Sequence, residues 1–417
     1  LERDIDLKPS DRKGALKDHP KLFTTVISVQ YFTNHTKYVL DLGDSCEFCY
    51  FCLMRSVTAL QKCHAKHREP SLFGRDVVYT DIAPLIAALP SLFHTTVLGH
   101  SEKGLPIHRI DYGIGDRKIL LWSQMHGNET TGTKALFDLF RWLASDDPAA
   151  KRIYNGCTLL CIPMLNPDGA ALHTRKNARG VDLNRDAIDR KAVESQLLRA
   201  CLDDFAPDFC FNLHDQRAIF NVEGTANPAT LSFLAPSVDV ARSLTAGRKE
   251  TMSVIVAMNE LLQQLIPNHI GRYTDEFYPT ATGDNFQRLG HNTILVEAGH
   301  FPHDLDRERT REFNFYALLR GLEYLADNQV FDQYEAYFNI PNNALKYLNT
   351  IYKNLSIERD GQLQTTDVGV HTTFKRQNGQ LVPHQCIEET GDLSSYFSDT
   401  VVNAENIQYQ DLKLSNS

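Results

Sequence analysis

Between about residues 70 and 328, short apolar runs alternate with longer amphipathic stretches, and no other feature restricts this chain as much. KILLWSQ (118 to 124), TLLCIPM (158 to 164), FCFNLH (209 to 214) and NTILVEAG (292 to 299) are too evenly apolar for half-solvated strands and too short for helices, so they are expected as buried strands. Between and after them, TGTKALFDLFRWLAS, AVESQLLRACLDDF, SVDVARSLTAGRKETMSVIVAMNELLQQL and RERTREFNFYALLRGLEYLAD keep a helical period. The fold class implied is α/β: a mixed, mostly parallel sheet flanked by helices. Sheets of that kind place their sites just beyond the carboxyl ends of the strands, so the residues following each run are the ones to inspect.

Flanking segments differ in texture. Residues 1 to 70 are expected as an N-terminal extension of unknown structure, 71 to 328 as the catalytic-type domain and 329 to 417 as a small β-rich C-terminal module. In the extension, Cys46, Cys49, Cys52, Cys63, His64 and His67 cluster among aromatic residues. Thiolates and imidazoles can close a tetrahedral metal site, but steps of three residues match no common paired-ligand spacing, so a structural cluster is the expectation. In the C-terminal module, Asp360-Gly361 and Asn378-Gly379 are hairpin signals, and the final NIQYQDLKLSNS is expected to fray. The module is expected first as a folding support, with an interface or a lid at a cleft rim as the other readings.

Composition excludes several classes. The formal net charge is -9 and Lys and Arg form no long run, which argues against a nucleic-acid binder. No run of apolar residues is long enough to cross a membrane, and the N-terminus has no basic-then-apolar signature. Residue 1 is Leu, so the chain is open to having been trimmed. The nine Cys are odd in number and those at 157, 161, 201 and 210 sit in apolar runs, so a reduced cytoplasmic setting is expected over a secreted one. Oligomeric state is not legible.

Chemistry concentrates at the strand ends. MHGNETTG places His126 and Glu129 three residues apart at a strand-to-helix turn, where an imidazole and a carboxylate can converge on one ion. Alone the pair is uninformative, because a Glu in a first helical turn also suits the helix dipole. His214 follows the third run and Glu297 is embedded in the fourth, as ILVEAG. A carboxylate flanked by apolar strand residues must be paired with a neighbouring Arg, protonated or working. Two His and one Glu leave a fourth zinc position for water, and Glu297 can take the proton. Between the runs, NPDGAALHTRKNARGVDLNRD packs Arg175, Arg179, Asp182, Asn184 and Arg185 close together. An Arg fork with a neutral amide can clamp a free carboxylate, and another Arg can stabilise an oxyanion.

HGNE, NPDG, RK with GVDLNR, LH and VEAG follow one another in an order and spacing that resembles the zinc metallocarboxypeptidase family across about 120 to 300, including its succinylglutamate desuccinylase and aspartoacylase branch. The resemblance implies one zinc ion held by His126, Glu129 and His214, with Glu297 as general base and Arg175 polarising the scissile carbonyl. It implies that Asn184 and Arg185 grip a terminal carboxylate, and that Asp182 sits behind His126 to set its tautomer. FYPTATGDNF resembles the family's mobile Tyr loop and offers Tyr278, with Tyr273 as a competitor; Asp284 could reach the specificity pocket and favour a basic side chain. The stretch from Arg185 to His214 is shorter than in the digestive members. The activity implied is hydrolysis of a C-terminal peptide bond. The rivals are an N-acyl-amino-acid amidohydrolase and a non-catalytic binding module on the same scaffold. In either enzymatic case the substrate carries a free carboxylate.

Overall fold

The computed structural model describes residues 56–359, 362–405, 407, 412 and 414–416. Its helices are α1 (Val57–His67), α2 (Tyr79–Ala87), α3 (Thr131–Leu143), α4 (Pro148–Gly156), α5 (Pro167–Leu172), α6 (Val193–Phe205), α7 (Ala246–Leu265), α8 (Thr282–Arg288) and α9 (Glu308–Asp327). The main sheet is built from β1 (Phe93–His100), β2 (Pro106–Tyr112), β3 (Arg117–Ser123), β4 (Cys157–Ile162), β5 (Phe209–Asp215), β7 (Leu231–Leu234), β8 (Ile270–Arg272) and β9 (Asn292–Ala298), while β6 (Asn221–Val222) pairs with β10 (Asn343–Ala344) in a separate ribbon.

The main sheet runs in the order β1-β2-β4-β3-β5-β9-β7-β8. Its centre, β4, β3, β5 and β9, is parallel, and these are the four runs expected from sequence. They are nearly continuously apolar because helices cover both faces. On one face α3, α7 and α9 bury Phe137, Phe211, Val296 and Phe315; on the other α6 and α8 cover Trp122, Leu160, Cys210 and Phe286. The antiparallel members β1, β2 and β7 lie outside this centre. Edge strand β1 is exposed at most positions, so it left no apolar run to read.

The third helical stretch differs from its expected span, for α7 begins at Ala246 and not near Ser237. Thr245 caps it by accepting from Arg248 N at 3.2 Å, and just upstream Arg242 has φ 56. The buried Arg248 guanidinium donates to the Ala235 and Arg242 carbonyls and to Asp275, so the chain before the cap wraps around a cation instead of continuing the helix. Helix α3 is buried nearly all round. Its Asp138 takes two bonds from the equally buried Arg311 of α9, at 2.6 and 2.8 Å, and lies 3.1 Å from His64 of α1. Removing one partner of such a pair strands the other charge, typically at a cost of about 3–5 kcal/mol.

Helix α1 therefore packs on this domain although it precedes residue 71. Its Cys63, His64 and His67 gather no metal-like cluster among the described residues: His64 faces Asp138 and His67 Nδ1 faces the Cys63 carbonyl at 2.8 Å. Cys46, Cys49 and Cys52 lie outside the described residues. Cys157, Cys161, Cys201 and Cys210 are buried free thiols, as their apolar surroundings suggested.

The C-terminal sheet holds β11 (Tyr347–Arg359), β12 (Gln362–Gln377), β13 (Gln380–Gly391), β14 (Phe397–Asn403) and β15 (Ser415–Asn416) in the order β14-β11-β12-β13-β15. Asn378 and Gly379 join β12 to β13 with φ 49 and 81, the two left-handed residues that a tight two-residue hairpin turn needs. Asp360-Gly361 and most of the final segment expected to fray lie outside the described residues. The module's apolar clusters are small, one around Leu355, Val368 and Val370 and one around Leu348, Ile351 and Leu393. No helix of the described residues is long and apolar enough to cross a membrane.

Candidate active site

Three consecutive parallel strands deliver polar side chains to one place. After β3 the chain turns through Gln124, at φ 51, and His126, and enters α3 just past Glu129. His214 and Glu297 are register partners on the neighbouring strands β5 and β9, so both side chains emerge on the same face at the same sheet edge. His126 Nδ1 lies 2.7 Å from Glu129 Oε1, His214 Nδ1 lies 2.9 Å from Glu129 Oε2, and the two Nδ1 atoms are 3.2 Å apart. Zinc–nitrogen bonds of about 2.0–2.1 Å at tetrahedral angles put two ligand nitrogens about 3.3 Å apart, so the spacing fits one shared ion. Among the described residues this is the only such gathering of three metal-ligating side chains.

The neighbours make sense of the charges. His126 Nε2 lies 3.1 Å from Asp182 Oδ1, which fixes the ring with Nδ1 turned inward. Asp182 also accepts from Arg175 Nε at 2.9 Å, and against the effect of burial these two partners hold its carboxyl well below the usual range. Burial works to raise Glu129, but the facing imidazoles outweigh it and keep that carboxyl low. Burial pulls His214 down, towards the neutral form that ligates metals.

Glu297 behaves differently. Burial, then the charges of Glu129 and Asp215, push its carboxyl well above the ordinary range. No described residue donates a hydrogen bond to it. The neighbouring Arg that could have neutralised it, Arg307, sits 3.0 Å from Asp215 instead and donates to the carbonyl of Ala298. Asp215 also accepts from Thr131 Oγ at 2.9 Å. Arg307 has φ 56 at the start of α9 and was not singled out from sequence; only its tertiary partners reveal it.

A cavity of about 740 Å³ opens over these groups and takes in Arg175, Asn184, Arg185, Tyr273, Tyr278 and Asp284, but not Asp182, which stands behind His126, nor Arg179. Arg175 Nη1 lies 3.2 Å from His126 Nδ1 and 3.4 Å from Glu129 Oε1, aimed at the ligand cluster. Asn184 accepts from Thr282 N at 3.0 Å, and Arg185 donates to the Asn184 carbonyl at 2.7 Å while its guanidinium lies 5.9 Å from the Tyr278 ring. Arg179 is turned away, donating to the Lys191 carbonyl. Tyr278 is exposed and its hydroxyl donates to Glu276 at 2.9 Å. Tyr273 lines the same cavity and is half-buried; burial and the charges of Glu297 and Glu129 push its phenol up to about 12. Asp284 is buried, accepts from Tyr278 N at 3.3 Å, and burial raises its carboxyl to about 6.

Sequence reasoning missed part of the lining. Arg217, three residues past His214, faces the cavity; Tyr347, Leu348, Glu388 and Glu389 reach it from the C-terminal sheet, and Leu345 and Tyr396 from the connections that lead into β11 and β14. The module expected first as a folding support thus contributes to the same cavity as the ligand cluster. Nothing local in EETGDLSS signals that position.

Residues 78–232 match the family model described as zinc carboxypeptidase. Carboxypeptidase SOL1 of Arabidopsis thaliana is 35% identical over 104 residues, covering 22% of this chain and 21% of that protein. Carboxypeptidase 2 of Trichophyton rubrum is 28% identical over 101 residues, covering 24% of this chain and 19% of that protein. The chain thus matches only about a fifth of the length of these relatives. Among solved structures, one from Shewanella denitrificans described as a carboxypeptidase A superposes with a TM-score of 0.51 at 19% identity, over 60% of this chain and 69% of that one, which is a likeness of fold. Across residues 78–232 the chain is thus similar in sequence to the zinc carboxypeptidases, and over a longer span it shares the fold of a solved carboxypeptidase A-like structure.

Proposed function

We propose that this protein is a zinc-dependent carboxypeptidase that removes the C-terminal residue from a peptide. The observation that carries the reading is the pairing of a closed ligand cluster, His126, Glu129 and His214, with a second carboxylate, Glu297, that faces the same cavity and has no partner of its own. A scaffold kept for binding alone has no use for an uncompensated carboxylate at that point.

When bound in the cluster, zinc lowers the pKa of water towards neutrality and polarises a carbonyl. Glu297 takes the proton from the attacking water and returns it to the departing amine. Arg175, aimed at the cluster, donates to the carbonyl oxygen as it gains charge. Asn184 and Arg185 bind the terminal carboxylate through an amide and a guanidinium fork. Asp182 holds His126 in the tautomer that leaves Nδ1 free for the metal. Tyr278, on an exposed segment, is free to turn from Glu276 towards a bound substrate. Asp284 lies buried where Leu234, Pro236 and Leu295 also line the cavity, and a cationic side chain on the terminal residue would satisfy it.

The test is the profile of amino acids released from a mixed peptide library, with and without a chelator. Chelator-sensitive release of C-terminal residues, Lys and Arg foremost, is expected. If N-acyl amino acids are cleaved and N-blocked dipeptides are not, the amidohydrolase reading replaces this one.

A further inference from the structure

We infer that the C-terminal sheet sets the length of peptide the site accepts, its Leu345 and Tyr396 holding the residues just upstream of the cleaved bond and excluding longer chains. The inference rests on the peptidase reading and goes beyond it, because it concerns the part of the cavity that lies outside the strand ends.

Three observations carry it. First, the sheet shares the ligand cavity directly: Leu345, Tyr347, Leu348 and Tyr396 line it together with His126, His214 and Glu297. Second, the sheet is anchored, not loosely apposed. Asp399 of β14, held within the sheet by the Tyr347 hydroxyl, lies 2.6 Å from His300, only three residues past Glu297. Arg217, from the chain just beyond His214, is paired with Glu388 of β13. At the far end of the sheet Arg376 is paired with Asp76, and Arg75 lies 4.6 Å from the Phe374 ring. Third, about 740 Å³ is on the scale of a ligand pocket, so a few residues fill it before the chain leaves through its open side.

The chemistry of the wall agrees. Arg217 is paired with Glu388, the Tyr396 hydroxyl donates to Glu389 at 3.2 Å and Lys346 Nζ stands 4.1 Å from the Tyr396 ring, so the wall offers the exposed Leu345 side chain and the rest of that ring between paired polar groups. A surface fastened by the buried His300–Asp399 contact and by the partly exposed Arg217–Glu388 and Arg376–Asp76 pairs cannot swing away without breaking them. A longer substrate must therefore leave past it, losing contacts or forcing the wall to shift.

The test compares kcat/KM for an N-blocked dipeptide and an N-blocked hexapeptide with the same C-terminal residue. The full chain, zinc-loaded, is expected to favour the dipeptide about tenfold or more, the scale on which pocket shape discriminates. Tyr396→Ala is expected to shrink that ratio and Leu345→Trp to enlarge it; the second stands at an exposed position, so it keeps the result readable if the first does not fold. Equal efficiency on both lengths, or a ratio unmoved by either variant that folds, overturns the inference and leaves the peptidase reading intact. No turnover of any peptide ends both.

Discussion

One wall of the cavity, from His126 to Glu297, is a row of side chains each placed by the end of its own strand; another, from Leu345 to Tyr396, belongs to a sheet with small apolar clusters of its own, held in place by a few polar contacts. The first is rigid because the strands that carry it are buried on both faces by helices. The second is only as firm as the Asp399–His300, Glu388–Arg217 and Arg376–Asp76 contacts that fasten it. With the proposed chemistry on the first and the inferred selectivity on the second, the two could change independently.

The sharpest break comes at the strand ends. Glu297→Gln is expected to lower kcat by about 100- to 1000-fold. Metal content should be unchanged, because the residue is not a proposed ligand. Retention of most activity would remove the base from the proposed mechanism. Next in size is metal binding itself: zinc at a hundred times its Kd should stabilise the fold by about 2.7 kcal/mol, read as a rise in the thermal midpoint. The rise should vanish in His214→Ala, and its survival there would take His214 out of the cluster.

On the second wall, Asp399→Ala strips an acceptor from Tyr347 and Asn349 and leaves His300 facing no carboxylate, and should cost about 1–3 kcal/mol in denaturant unfolding. A loss confined to stability, with length selectivity unmoved, would show that the latch does not position the wall. A smaller effect separates the pocket floor from both walls. Burial raises Asp284 from the ordinary range to about 6, so in the folded state it is neutral below that pH and charged above. Its ionisation therefore costs the fold stability as pH rises from about 4 through about 6. A cationic substrate side chain offsets that cost, so preference for Lys or Arg over Leu should grow as pH rises through about 6; a preference flat across that range, or kept in Asp284→Asn, would clear Asp284 of the role. As a baseline, breaking the surface pair Arg199–Asp203 should change stability by no more than about 0.5 kcal/mol.

The buried centre of the sheet was legible because strands covered on both faces write themselves as apolar runs, and a polar residue ending such a run stands out. His126, Glu129, His214 and Glu297 were found that way, and Asp182 by the resemblance. Edge strand β1 was not legible, since an exposed edge needs no apolar pattern. The start of α7 was misread because the helical period continues upstream through Ser237–Leu244, while the cap at Thr245 and the buried Arg248 decide against it. Arg307 escaped notice because nothing beside it in sequence marks it as the partner of Asp215.

By itself, then, the sequence determined which strands form the centre of the sheet and which of their ends carry ionisable groups, because burial and period act locally along the chain. Only the tertiary structure decided that Arg307 goes to Asp215 and leaves Glu297 unpaired, and that a sheet more than forty residues downstream walls the same cavity. Those outcomes depend on which distant surfaces meet, and a docking contact of two or three polar groups leaves no periodic trace in the residues that make it.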